Sequence, residues 1–371
     1  MRRLGLLVNP IAGMGGSVGL KGTDGPETLR NAIELGAKPR SPLRAKQFLL
    51  QMLKTSVPVE LYTCAGSMGE DEARSCGIEP QRIFGETESM TEREDTKILA
   101  GKLSESNVEL LVFCGGDGTA RDIVDVIDAR LPTLGIPAGV KIYSAVFGAN
   151  PEACATIATD FLAGRLGVHD AEVMDIDEED FRRGKLSARL YGYLKVPVQG
   201  ILMQHVKSSS PETQSEKSQQ EAIAKHIIED MDDDTIYIIG PGSTTEAIGE
   251  LLGSEKTLLG VDIFYRKRIL ARDVNESQIL NLIRGKKCKI IVTPIGGQGY
   301  IFGRGNQQIS PSVIENVGTN NIIVVATNHK LHDLSQNRLL VDTGDPSLDE
   351  LLKGYIKIVT GYKEMTVRRV E

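Results

Sequence analysis

Short apolar runs alternate along this chain with longer stretches whose apolar positions recur every three or four residues. Leu4-Gly5-Leu6-Leu7-Val8, closed by Asn9-Pro10, reads as a buried strand running into a turn. Leu43, Ala45, Phe48, Leu49, Met52 and Leu53 fall at helical spacing behind Pro42, which predicts a helix over 41–54 with proline in its first turn. A strand follows over 57–63. Thr91-x-x-Glu94 has the spacing of a capping box and opens a helix reaching Lys102. Glu109 to Cys114 is an apolar strand, followed at once by Gly115-Gly116-Asp117-Gly118-Thr119 and a helix over 120–129. A short apolar run over 134–136 ends at Pro137-Ala138-Gly139. Strand and helix in alternation predict a parallel α/β sheet.

The pattern changes near residue 165. Strands are expected over 172–176, 186–193 and 195–201. Residues 207–221 contain no hydrophobic side chain, so a surface loop or flexible insertion is expected there. The α/β alternation then resumes, with strands over 235–239, 260–264, 289–293 and 321–326 and helices over 244–252 and 277–283. The expected fold class is α/β: a three-layer α/β first domain over 1–165 and a second, mixed domain with β-hairpins and α/β units over 166–345. Residues 346–371 are expected to return to the first domain.

Composition narrows the function classes. With 371 residues, 40% of them hydrophobic and 25% charged, two packed domains are feasible. Trp is absent and aromatics are 5%, which argues against surfaces that stack bases. A net charge of −7 without a long Lys/Arg run argues against nucleic-acid binding. No segment has the length of a membrane span. Five scattered cysteines, without CxxC spacing, fit a reducing cytoplasm. The chain is expected to act in the cytoplasm, as a homo-oligomer, on a nucleotide substrate.

The glycine loops carry the chemistry. Glycines at 115, 116 and 118 leave room for phosphates to approach the first backbone N–H groups of a helix. Asp117 would repel phosphates unless it binds Mg²⁺ or takes a proton from an attacking hydroxyl, and both roles suit a kinase. An ordinary strand–helix turn capped by Asp117 is the alternative. Six glycines between 13 and 25 suggest a segment that closes over bound phosphates. In the second half, Gly242-Ser243-Thr244 and the 294–299 loop both follow strands, and Arg304 is a candidate bidentate phosphate partner. His329 and His332, and the acidic run from Asp175 to Asp180, read as solvated surface.

Gly115 to Thr119 behind an apolar strand, Asn9-Pro10-Ile11-Ala12-Gly13 after the first strand, and Pro137-Ala138-Gly139 resemble, in order and spacing, the signatures of the NAD kinase and diacylglycerol kinase superfamily. The chain is most similar to the ATP-NAD kinase-like proteins of archaea and bacteria. Where that superfamily carries Thr and then Asn, this chain reads Val140-Lys141-Ile142-Tyr143-Ser144. The resemblance implies an ATP- and Mg²⁺-dependent kinase acting on the 2′-hydroxyl of NAD, with Asp117 as base or orienting carboxylate. It implies nucleotide-binding roles for Asn9, Gly13, Gly115, Gly116, Gly118, Thr119 and Gly139. Lys141 is a candidate phosphate ligand, and Gly242, Ser243 and Thr244 match a Gly-Ser-Thr loop of NAD kinases. A kinase for a lipid or polyol alcohol, and a non-catalytic nucleotide sensor of the same fold, remain alternatives.

Overall fold

A computed structural model describes residues 1–20, 26–55, 57–86, 91–127, 131–139, 142–176, 188–197, 203, 214–295, 299–334 and 338–371. The chain divides into two units. The first comprises Met1–Met14 and Gly22–Val206, the second Gly15–Lys21 and Lys207–Glu371.

The first unit carries β1 (Arg2–Val8), α1 (Pro26–Glu34), α2 (Ser41–Met52), β2 (Val59–Cys64), α3 (Glu70–Ser75), β3 (Arg82–Phe84), α4 (Arg93–Glu105), β4 (Leu110–Gly115), α5 (Asp117–Val124), β5 (Thr133–Pro137), α6 (Pro151–Leu162), β6 (Val168–Ile176) and β7 (Ala188–Pro197). Five strands form a wholly parallel sheet in the order β3-β2-β1-β4-β5. Right-handed crossovers place α2 and α3 on one face and α4 and α5 on the other. The packing agrees: α2 meets α3 and α6, and α4 meets α5. Both faces of the central strands are therefore covered, and β4 is buried along its whole length.

Where strands are expected over 172–176, 186–193 and 195–201, the described residues form one antiparallel hairpin, β6 with β7. It belongs to the first unit, which extends well past the boundary expected at 165. The helix expected from 120 starts at Asp117, directly behind the strand. The expected capping box sits one residue later, with the Asp95 carboxylate accepting from Glu92 N at 2.7 Å.

The second unit contains α7 (Gln214–Glu229), β8 (Ile236–Ile239), α8 (Ser243–Leu251), β9 (Asp262–Tyr265), β10 (Arg268–Ala271), α9 (Glu276–Ile283), β11 (Cys288–Val292), β12 (Tyr300–Phe302), α10 (Pro311–Val317), β13 (Ile322–Val325), α11 (Asn328–His332), β14 (Arg338–Val341), α12 (Pro346–Leu352), β15 (Gly354–Gly361) and β16 (Glu364–Val370). They build a mixed nine-stranded sheet, β10-β9-β8-β11-β13-β15-β16-β14-β12. Its middle, β8, β11, β13 and β15, is parallel, whereas β9/β10 and β15/β16 are hairpins. Period-two alternation sorts the side chains. Ile236, Ile238, Ile290 and Val292 pack with α9 and α10, while Tyr237, Ile239 and Ile291 pack with α7 and α8.

Two expectations change here. Residues 346–371 do not return to the first unit, because β15 and β16 complete the second sheet. The stretch 207–221 is not a loop throughout. From Gln214 it is helix α7, where Gln220 is buried and Gln219 donates to Thr360 O at 2.6 Å. Its apolar face begins only at Ile223, just beyond the polar stretch that suggested a loop.

Candidate functional site

In the first unit, the strand order places the topological switch between β1 and β4, since the chain moves outward in opposite directions from that pair. Open α/β sheets gather ligands beyond the carboxyl ends of such strands. The three glycine-containing turns meet there. Asn9 N donates to Cys114 O at 3.0 Å, and Ala138 N donates to Gly115 O at 2.9 Å. Asn9 Nδ2 donates to Thr119 Oγ1 at 3.0 Å, which ties the first turn to α5. Gly13 has φ +79°, and a Cβ there would lie 1.8 Å from Ala138 O, so only glycine lets the first turn close onto the third. Gly116 faces Gly139, and Gly118 lies in the first turn of α5.

Asp117 occupies the first position of α5, and its carboxylate is held by two backbone amides. Oδ2 accepts from Tyr143 N at 2.8 Å and Oδ1 from Ser144 N at 3.0 Å. Burial raises the pKa of this carboxyl, opposed by the Ser144 side chain, the two amides and the Arg121 charge one helical turn on. Hairpin β6/β7 sets the height of that loop: Met174 N donates to Ser144 Oγ at 2.9 Å, and Ala145 N to Glu172 O at 2.8 Å. Arg121 is itself held by Asp175, which also accepts from Arg189 at 2.8 Å. Asp175 is thus a buried ion-pair centre, not the solvated residue expected. Residues 177–180 and Lys141 lie outside the described residues.

In the second unit, β8, β11 and β13 end side by side. Gly242 has φ +122°, and a Cβ there would meet Thr293 Cγ2 at 2.6 Å. Ser243 Oγ accepts from Gln220 Nε2 at 3.3 Å. Thr244 and Thr293 are buried, and the Oγ1 of each accepts from Lys330 Nζ at 3.3 Å. Gly15–Leu20 packs within this unit: Glu276 N donates to Ser17 O at 3.1 Å, and Gly19 lies near Asn275 and Gln308. Arg304, a candidate phosphate partner from sequence, is committed elsewhere. Its guanidinium pairs with Asp342 at 3.0 Å, both side chains buried. Asn275 caps α9, with Oδ1 accepting from Gln278 N at 2.9 Å. His329 and His332 each face Asp333 at the surface, as expected. Residues 296–298 lie outside the described residues.

Sequence reasoning missed Tyr143, Ser144, Lys330 and Thr293. Thr293 follows directly behind β11, and that position was the available signal; Lys330 lies in the first turn of α11, beyond β13. Ser144 carried none, because its contact with Asp117 depends on the path of the intervening chain. Among the described residues no helix is long and apolar enough to cross a membrane, and no three His, Cys, Asp or Glu side chains converge as metal ligands.

Comparison with known proteins is decisive at the level of domains. Residues 4–166 match the ATP-NAD kinase N-terminal domain, and residues 232–370 match the ATP-NAD kinase C-terminal domain. No curated protein matches. Among solved structures, a protein assigned as a diacylglycerol kinase from Bacillus anthracis str. Sterne is 17% identical, covering 47% of this chain and 45% of that one, with a TM-score of 0.24. UDP-GlcNAc 2-epimerase from Neisseria meningitidis, bound to UDP-GlcNAc, is 10% identical, covering 38% and 34%, also with a TM-score of 0.24. This chain therefore spans less than half the length of either structure, and the family rests on the two domain matches. With both domains present in order over 4–166 and 232–370, the chain belongs to the ATP-NAD kinase family, a family of kinases.

Proposed function

We propose that this protein transfers the γ-phosphoryl group of ATP to the ribose 2′-hydroxyl of NAD, and that Asp117 orients and deprotonates that hydroxyl. The observation that carries the reading is the placement of Asp117. It stands at the start of α5, at the switch point of the first sheet, inside the region that matches the kinase N-terminal domain. In the reaction the hydroxyl oxygen bonds to the γ-phosphorus, the bond from that phosphorus to the β–γ bridging oxygen breaks, and ADP leaves. The hydroxyl proton passes to Asp117. A base works best when its pKa lies near the working pH, and burial moves Asp117 in that direction. Two backbone amides fix the carboxylate, so little motion is needed at the moment of transfer.

The turn at 115–119 offers the backbone N–H groups at the start of α5 and the Thr119 hydroxyl to phosphate oxygens, while the turn at 9–13 braces it through Asn9. A magnesium ion arriving with ATP would take its ligands mainly from phosphates and water, so Asp117 is left to act as the base. When bound, the ion supplies neutralisation of phosphate charge. In the second unit, Gly242, Ser243 and Thr244 form the other proposed nucleotide loop. We place the reaction in the cytoplasm, a compartment that keeps thiols reduced; all five cysteines are free.

The test is an acceptor panel: purified protein with γ-labelled ATP and Mg²⁺, offered NAD, diacylglycerol or a polyol. The reading requires label on NAD at the 2′ position. Label only on another acceptor would replace NAD while keeping the kinase, and no transfer to any acceptor would remove the activity altogether.

A further inference from the structure

Lys330 is a feature of the second unit that no motif announced. Its backbone is fixed first: Thr327 caps α11, its Oγ1 accepting from Lys330 N at 3.3 Å. The side chain then reaches across the ends of two neighbouring strands, to Thr293 behind β11 and Thr244 behind β8. Three successive strands of a parallel sheet thus each supply one group to a single point. Thr244 and Thr293 are buried, while Gly242, Ser243 and Lys330 are half-buried, so the point is reached from the side of the Gly242–Thr244 loop. An ammonium donates only, so both threonine oxygens act as acceptors towards it and each hydroxyl keeps its own proton to give. Positive charge and hydroxyl donors therefore converge beside a glycine turn in which a side chain has no room at position 242.

We infer that Lys330 is the phosphate-binding cation of the Gly242–Thr244 loop and that it takes the pyrophosphate group of a nucleotide substrate. The inference rests on the reading of the chain as a nucleotide kinase and adds the group that supplies charge in the second unit. ATP and NAD share the pyrophosphate chemistry, and binding measurements separate them.

The experiment is calorimetric titration of full-length wild-type, Lys330→Gln and Lys330→Arg protein with ATP, NAD, inorganic pyrophosphate and adenosine. Loss of a charge-assisted contact should weaken binding of ATP, of NAD or of both by about 10- to 100-fold in Lys330→Gln. Adenosine, which has no phosphate, should bind all three proteins alike, and Lys330→Arg should retain most of the affinity. Whichever nucleotide responds identifies the substrate held in this unit. Equal binding of ATP and NAD to wild type and Lys330→Gln would overturn the inference. An equal loss for adenosine would overturn it too, as the mark of a merely structural tie between strands. Should the glutamine variant fail to fold, Lys330→Arg decides: retained nucleotide binding supports a charge requirement, and loss as deep for adenosine as for ATP refutes it. None of these titrations needs phosphoryl transfer. A protein that shows the Lys330 effect yet phosphorylates no NAD would sink the NAD kinase reading alone, and transfer to NAD without the Lys330 effect would sink the lysine alone.

Discussion

The two units finish their parallel strands in turns built from the same material but charged oppositely. In the first, glycine turns behind β1, β4 and β5 lock together through backbone hydrogen bonds, and the ionisable side chain among their described residues is a carboxylate, Asp117. In the second, the turns behind β8, β11 and β13 are joined by side chains, and the ionisable group is an ammonium, Lys330. On the proposed reading, phosphate meets backbone N–H groups and the Thr119 hydroxyl in the first with its charge neutralised, whereas the second offers charge directly. The first turn set therefore suits proton removal beside a phosphoryl group, and the second suits holding an anion. Glycine content alone would have made the two look equivalent.

The largest expected effect comes from breaking the backbone lock of the first unit. Gly13→Ala puts a Cβ against a carbonyl oxygen and adds a positive φ, so it should cost about 3 kcal/mol or more and take phosphoryl transfer with it. Gly36→Ala is the control. Its φ is +83° but nothing lies within 4 Å, so it should cost only about 1 kcal/mol. Urea unfolding of both variants checks the difference, and equal losses would mean that the turn at 13 is not locked.

A smaller effect lies beneath the same unit. Glu72 is buried on α3, its Oε2 has no hydrogen-bond partner, and burial pushes its pKa up to about 7, with Asp71 adding to the shift and Lys46 opposing it. A carboxyl raised in the folded state contributes stability below its unfolded value, lost as pH rises through the folded one. Glu72→Gln escapes that loss. The variant should gain on wild type between about pH 4.5 and pH 8, reaching about 2–3 kcal/mol. Denaturant midpoints across that range measure it, and a pH-independent difference would show that Glu72 does not titrate in the fold.

Smaller still is the tuning of Asp117. Ser144→Ala removes a hydrogen bond that favours the ionised carboxylate, so the Asp117 pKa should rise further. The acid limb of the kcat/KM profile should then move up by about one pH unit. An unmoved limb would detach Ser144 from the base.

The first unit was the more legible because its signals are local. Apolar runs such as Leu4–Val8 must be buried strands, and glycines immediately behind them mark where the backbone turns. The contacts that finish the site are not local. Ser144 reaches Asp117 only because hairpin β6/β7, read from sequence as three strands of another domain, holds the 143–145 loop in place. In the second unit, α7 was obscured by its polar first turns. The terminal strands β15 and β16 were assigned to the wrong unit, since strand pairing over long separations leaves no trace in a single sequence. Arg304 failed for a related reason: a guanidinium near a glycine loop looks alike whether it meets a phosphate or, as here, a buried Asp342.

The central claim is that Asp117 takes part in phosphoryl transfer rather than in holding α5 to its neighbours. Single-turnover rates of NADP formation from ATP and NAD, measured with saturating nucleotides on wild-type and Asp117→Asn protein of equal nucleotide affinity, test it most directly. Loss of a positioned base predicts a fall of about 10²- to 10⁴-fold. A rate within a few-fold of wild type would contradict the account and leave Asp117 as an ordinary helix-start residue.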